Sequence, residues 1–215
     1  MAQNEWSVSN NFAVIESDTT TTPPVGEASP VVKIWHTSAL TDMQGFYPTN
    51  GTVEGKTTKG FTEGSMEVWG IRSTSTLSTV NWQLTFRANP TVSWSNSNAY
   101  HVYAASTSAI RVVRGTNSSP NTLVTSGTIT GFTDPNVWRG LRAYWWKSSP
   151  SNSLYIRVLY NLADGNGWQF AFNDFADTNP NSDDVNTEAG LGYLVNGTTN
   201  ATYVKFDGFR LFTKT

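Results

Sequence analysis

The side chains in this sequence that could do acid–base chemistry are few and poorly spaced for it. Three acidic pairs stand out: Glu63 with Glu67, Asp174 with Asp177, and the adjacent Asp183 and Asp184. Cleaving a glycosidic bond with retention needs two carboxyl groups about 5 Å apart. Glu63 and Glu67 share a strand face, but four residues at about 3.3 Å each set them too far apart along it. Asp174 and Asp177 fall in a loop-like stretch and Asp183 and Asp184 in a polar loop, where solvated acids are the rule. The two histidines keep aromatic company: His36 follows Trp35, and His101 lies between Tyr100 and Tyr103. In that setting each reads as a hydrogen-bonded packing residue rather than a base. No nucleophile elbow, Gly-rich phosphate loop or H-E-x-x-H motif occurs. The expectation is a protein that is not an enzyme.

The aromatic residues are better placed to act. There are nine tryptophans in 215 residues, more than core packing ordinarily uses. An exposed indole stacks on the C–H face of a pyranose ring and brings a large contact area at little entropic cost. Tyr144, Trp145 and Trp146 are consecutive, and a strand turns successive side chains to opposite faces. One face of that strand therefore carries an aromatic away from the core. Such a ring could line a groove, pack under a loop or form a subunit contact. Trp94, in the polar loop PTVSWSNSN, is the other aromatic with no evident core role. Trp94, Tyr144, Trp145 and Trp146 are the candidates for contact with a glycan or a partner.

The elements that must position these residues are strands. From Trp138 to Phe212 the chain is a run of short apolar segments rich in β-branched and aromatic residues, bounded by Gly, Pro, Asn, Asp or Ser. Upstream, NWQLTFRAN alternates Trp82, Leu84 and Phe86 against Gln83, Thr85 and Arg87, the pattern of a half-buried strand. VVKIWHTS, SMEVWGIRS, AYHVYAAS, AIRVVRG and TLVTSGTITGF add further strands, and no segment keeps a helical period. Residues 1–30 are mostly polar and hold Pro23-Pro24, which disfavour helix and interior strand. They read as an extended arm around a short strand at Phe12–Ile15, with residues 31–215 as one domain.

Composition narrows the partners. Net charge is −2, charged residues are 14% of the chain and the basic residues are scattered, which argues against nucleic acid. There is no cysteine, so disulfides, thiolate metal sites and thiol catalysis are excluded. No apolar run approaches the roughly 20 residues of a membrane helix, so no membrane insertion is expected. The opening MAQNEWSVSN has neither basic nor apolar signal regions, so soluble synthesis is expected. Yet the surface chemistry, low in Lys and Glu and high in Thr, Asn and Trp, suits a protein that works outside a cell. A virion protein released by lysis fits both.

In order, QLTFRAN, the Tyr100–Ala105 segment, Ile110–Gly115, Trp138–Trp145, Leu154–Val158, Gly190–Tyr193 and Phe206–Leu211 resemble the concanavalin A-like lectin/glucanase superfamily, especially its laminin G-like branch. The resemblance covers the last 150 residues or so, about one domain. It implies an all-β, antiparallel jelly-roll β-sandwich of two sheets, with Trp82 and Trp138 at core positions. Neither the E-x-D-x-x-E hallmark of its glycosidases nor the motif of its polysaccharide lyases is present. It also implies a candidate structural calcium, for which the acids are Asp174, Asp177, Asp183, Asp184 and Asp207; Asp207 could equally bond loop amides. No cofactor is required on this reading. The expected function is a non-enzymatic virion surface protein, a bacteriophage head decoration or fibre-like appendage, with a lectin-type sandwich that binds glycans. Its partners would be other virion proteins or copies of itself. A free carbohydrate-binding module and a polysaccharide-degrading enzyme are the alternatives.

Overall fold

A computed structural model describes residues 6–8, 12–24, 31–39, 44–48, 52–53, 56–57, 63–88, 98–105, 108–116, 119–149, 151–180 and 188–213. The strands in chain order are β1 (Trp6–Val8), β2 (Ala13–Asp18), β3 (Val31–His36), β4 (Gln44–Pro48), β5 (Thr52–Val53) and β6 (Lys56–Thr57). They continue with β7 (Gly64–Arg72), β8 (Val80–Ala88), β9 (Ala99–Ala104), β10 (Ile110–Thr116), β11 (Ser119–Thr125) and β12 (Arg139–Lys147). The last are β13 (Leu154–Asn161), β14 (Gln169–Phe170), β15 (Phe175–Asp177), β16 (Glu188–Val195) and β17 (Tyr203–Thr213).

Two antiparallel sheets form the body. The first has the order β1-β4-β16-β8-β9-β10-β11; the second runs β14-β13-β12-β7-β17-β3-β2, with β15 also on β13. The expected jelly-roll sandwich is therefore the fold. Alternation decides what each sheet buries. Trp82, Leu84, Phe86, Tyr100 and Val102 of the first sheet face Met66, Val68, Trp145, Ile156 and Phe206 of the second, all buried. The sheets are joined by stacked rings: Phe86 lies 5.3 Å from Tyr100 of its own sheet and 4.5 Å from Trp145 of the other, both nearly parallel. Trp82 meets Phe206 edge-on at 6.1 Å, and only a glycine fits opposite, because a Cβ on Gly70 would come within 2.5 Å of the indole.

The short strand expected around Phe12–Ile15 is present as β2, and it belongs to the second sheet. Ala13–Asp18 pairs with β3 throughout its length, and Ala13 and Ile15 pack on the core, while Trp6–Val8 pairs with β4. Ala13 and Ile15 thus help complete a sheet edge. TLVTSGTITGF is strand only as far as Thr125. Beyond it the chain turns, and Phe132 plugs one end of the core, fully buried. Two arginines hold that plug by its carbonyls: Arg72 Nη1 donates to Phe132 O at 3.1 Å, and Arg139 Nε to Gly131 O at 2.8 Å.

Candidate binding face

The outward residues of the second sheet form a continuous polar–aromatic surface centred on β12. On this strand Leu141, Ala143 and Trp145 point into the core, so Arg142, Tyr144 and Trp146 point out, each half-buried. β13 alternates in the same way, presenting Tyr155, Arg157 and Leu159. The register Tyr144↔Arg157 and Trp146↔Tyr155 sets these side chains next to each other. Trp146 and Tyr155 are stacked at 5.7 Å. The Arg157 guanidinium lies 5.4 Å from the Trp146 ring and 5.7 Å from that of Phe170, which is 62% exposed on β14.

Each of these cations has an anion. Asp174 takes Arg157 through both oxygens, Nε at 2.8 Å and Nη2 at 2.7 Å. This fork raises the arginine above its usual range and holds the Asp174 carboxyl below its own. Arg142 donates from Nε to Glu67 at 2.6 Å, and Arg210 approaches the other oxygen at 3.5 Å. Arg142 also covers the Trp168 ring at 4.3 Å. Trp168 in turn lies against Trp69, 5.5 Å away, and beside Gly140, where a Cβ would meet the ring at 2.7 Å.

At the β12 N-terminal end the face opens into a cleft of about 470 Å³. Trp138 forms one side, beside Val137 and Ile71. The Trp138 indole is pinned, since Nε1–H donates to Thr22 O at 2.7 Å. The segment carrying Thr21 and Thr22 is itself anchored by Asp18. Burial alone would raise that carboxyl, but Lys205, Thr21 and Thr20 hold it far below the usual range. Leu162, Ala163 and Asp164 line the cleft as well. Hydrogen bonds from Asn166 N and Nδ2 keep the Asp164 carboxyl below its ordinary value. Asn136 and Ala163, both lining residues, hold left-handed backbone at φ 59° and 58°. Strain of that kind costs of order 1 kcal/mol or more and concentrates at functional sites.

The sequence-based candidates are distributed as follows. Tyr144 and Trp146 stand on the outer face. Trp145 is a correction: it is 1% exposed and belongs to the inter-sheet stack, so it contacts neither glycan nor partner. Trp94 lies outside the described residues, as do Asp183 and Asp184. Trp82 is core, but Trp138 is not: it is half-buried and lines the cleft. Asp174 and Asp177, the calcium candidates among the described loop acids, each pair with an arginine, Arg157 and Arg114. Asp177 accepts from Tyr100 OH at 2.7 Å and Arg114 Nη1 at 2.6 Å; burial alone would raise it, and these partners lower it. Asp207 is buried opposite Trp69. Among the described residues no group of three or more His, Asp or Glu could hold a metal ion. His101 is a packing residue: Nδ1 faces Gln83 Nε2 and Thr85 Oγ1, both at 3.0 Å, and Nε2 faces Gly115 O at 3.1 Å. Trp168, Tyr155 and Arg157 were missed. The alternation of LYIRVLYN carried the signal for the last two.

No family model matches the sequence, and no curated protein matches it. Solved structures match in fold. One is a GH43 glycoside hydrolase, engineered to display both endo-xylanase and exo-arabinofuranosidase activity. It has a TM-score of 0.50 at 11% identity, over 100% of this chain. The chain spans only 39% of that protein's length. Another is the legume lectin-like domain from Entamoeba histolytica, with a TM-score of 0.50 at 8% identity, over 95% of this chain and 91% of that one. At these identities the likeness is one of architecture, a lectin-like sandwich.

Proposed function

We propose that this protein is a non-enzymatic carbohydrate-binding sandwich whose contact surface is the outer face of the second sheet. The cleft at Trp138 carries the reading. It combines a pinned indole with apolar flanks and a rim of hydroxyl, amide and carboxylate groups from Thr21, Thr22, Asn136 and Asp164. A sugar needs that pairing of ring face and hydrogen-bonding edge. Asp164, the acid lining the cleft, accepts two hydrogen bonds from Asn166 that favour its ionised form, which accepts from sugar hydroxyls. The setting we propose is a virion surface, on the composition alone. Display in many copies there would convert weak single sites into avidity.

A glycan array with the full chain and with Trp138→Ala tests the reading. Saturable binding that the substitution abolishes is the expected result. A blank array sinks it, and release of reducing ends from a bound polysaccharide would make the protein an enzyme.

A further inference from the structure

The cleft continues into the aromatic face without a break in chemistry. From Trp138, the path along β12 passes Trp69 and Trp168 beside Gly140, then Arg142, Tyr144 and Trp146. Eight residues of extended chain make this about 25 Å from Trp138 to Trp146, longer than one sugar. The charges on the face are paired, one to one except at Glu67, whose single carboxylate serves two arginines. Arg142 and Arg210 sit on Glu67, Arg157 on Asp174, Lys205 on Asp18 and Lys33 on Glu16. Arg157 lies beside Trp146 with its side chain 41% exposed, more open than Arg142 over Trp168 at 25%. A guanidinium there would capture carboxylate or sulfate groups bidentately. Asp174 already fills that fork.

We propose that the ligand is an extended neutral polysaccharide laid along β12, and that Asp174 is the residue that turns acidic chains away. This rests on the carbohydrate reading above. Asp174 acts through Arg157 and is a positioning residue. With it in place the guanidinium is a flat, neutralised floor beside Trp146. Without it the same group is a free anion fork.

Two titrations test this by calorimetry. The first uses neutral gluco-, xylo- and manno-oligosaccharides from a single unit to a hexamer. Affinity rises about tenfold or more with length, the worth of one or two added ring contacts, and Trp146→Ala removes only that gain. The second uses polygalacturonate and heparin. The native chain binds neither; Asp174→Asn gains salt-sensitive binding to both, and Asp174→Glu does not. Glu16→Gln makes the same charge change at the far sheet edge and gains nothing. If no neutral polysaccharide binds, the carbohydrate reading falls. If single units bind as tightly as hexamers, that reading stands and the extended chain is wrong. If the native chain binds polygalacturonate, or Asp174→Asn gains nothing, the role of Asp174 is overturned.

Discussion

Arg72 and Arg157 each sit between an indole and a phenyl ring, one in the core and one at the surface. Arg72 lies 5.7 Å from both Trp82 and Phe132. Its Nη1 donates to Phe132 O, while Nε and Nη2 make no hydrogen bond. Burial, and then the charge of Arg139, push it down to about 9. Arg157 lies 5.4 Å from Trp146 and 5.7 Å from Phe170, and Asp174 raises it. The ring–cation–ring arrangement is common to both; the carboxylate and the access of water are not. A buried cation with no counter-ion among the described residues is a cost the core carries in order to hold the Phe132 plug. An exposed, neutralised one is a platform. The chemistry of a cluster therefore follows from its exposure and its charge partner, not from the residue types alone.

The largest test of this inside–outside contrast lies on one strand. Trp145→Ala should lower stability by about 3–5 kcal/mol in chemical denaturation, and Trp146→Ala by less than about 1 kcal/mol. Equal losses would mean the two faces of β12 are wrongly assigned.

Next comes pH. His101 is buried and pushed down to about 4 from 6.5, chiefly by desolvation. Its folded pKa lies below its unfolded one, so the unfolded chain takes up the proton first. Stability is fully present above pH 6.5 and falls as pH drops toward 4, by on the order of 3 kcal/mol. Burial lowers His36 as well, in the same sense. A denaturation midpoint that does not move between pH 7 and about 4 would rule this out.

Smaller effects should separate the arginines. Arg72→Met should leave stability unchanged or raise it by about 1 kcal/mol. A clear fall would show that the bond to Phe132 outweighs the desolvation. Arg157→Ala, at an exposed pair, should change stability by less than about 0.5 kcal/mol while weakening hexasaccharide binding. If it unfolds the protein, the outer face is structural.

Much of this was legible in the chain. The alternation of Trp82, Leu84 and Phe86 marked a core face, and three consecutive aromatics at 144–146 guaranteed one facing out. Alternation could not say which, because that depends on how β12 registers against β7 and β13. The resemblance set Trp138 at a core position, but it stands just before β12 and lines the cleft. The cleft itself left no local trace. Its walls come from residues 21–22, 71, 136–139 and 162–164, brought together only by the sheet order. The Arg157–Asp174 fork spans 17 residues and a sheet edge, beyond any short motif.

The glycine beside Trp168 has a bearing on how the chain finds its register. Tyr144, Trp145 and Trp146 would bury an aromatic in any of three alignments, so hydrophobicity alone leaves β12 free to slip. Gly140 is the notch that only one alignment satisfies. A slip of one residue would bring Arg139 or Leu141 against an indole that has no room for a side chain. The bare position thus favours the native alignment, since a side chain there would have to displace the Trp168 ring while the correct aromatic stays outdoors.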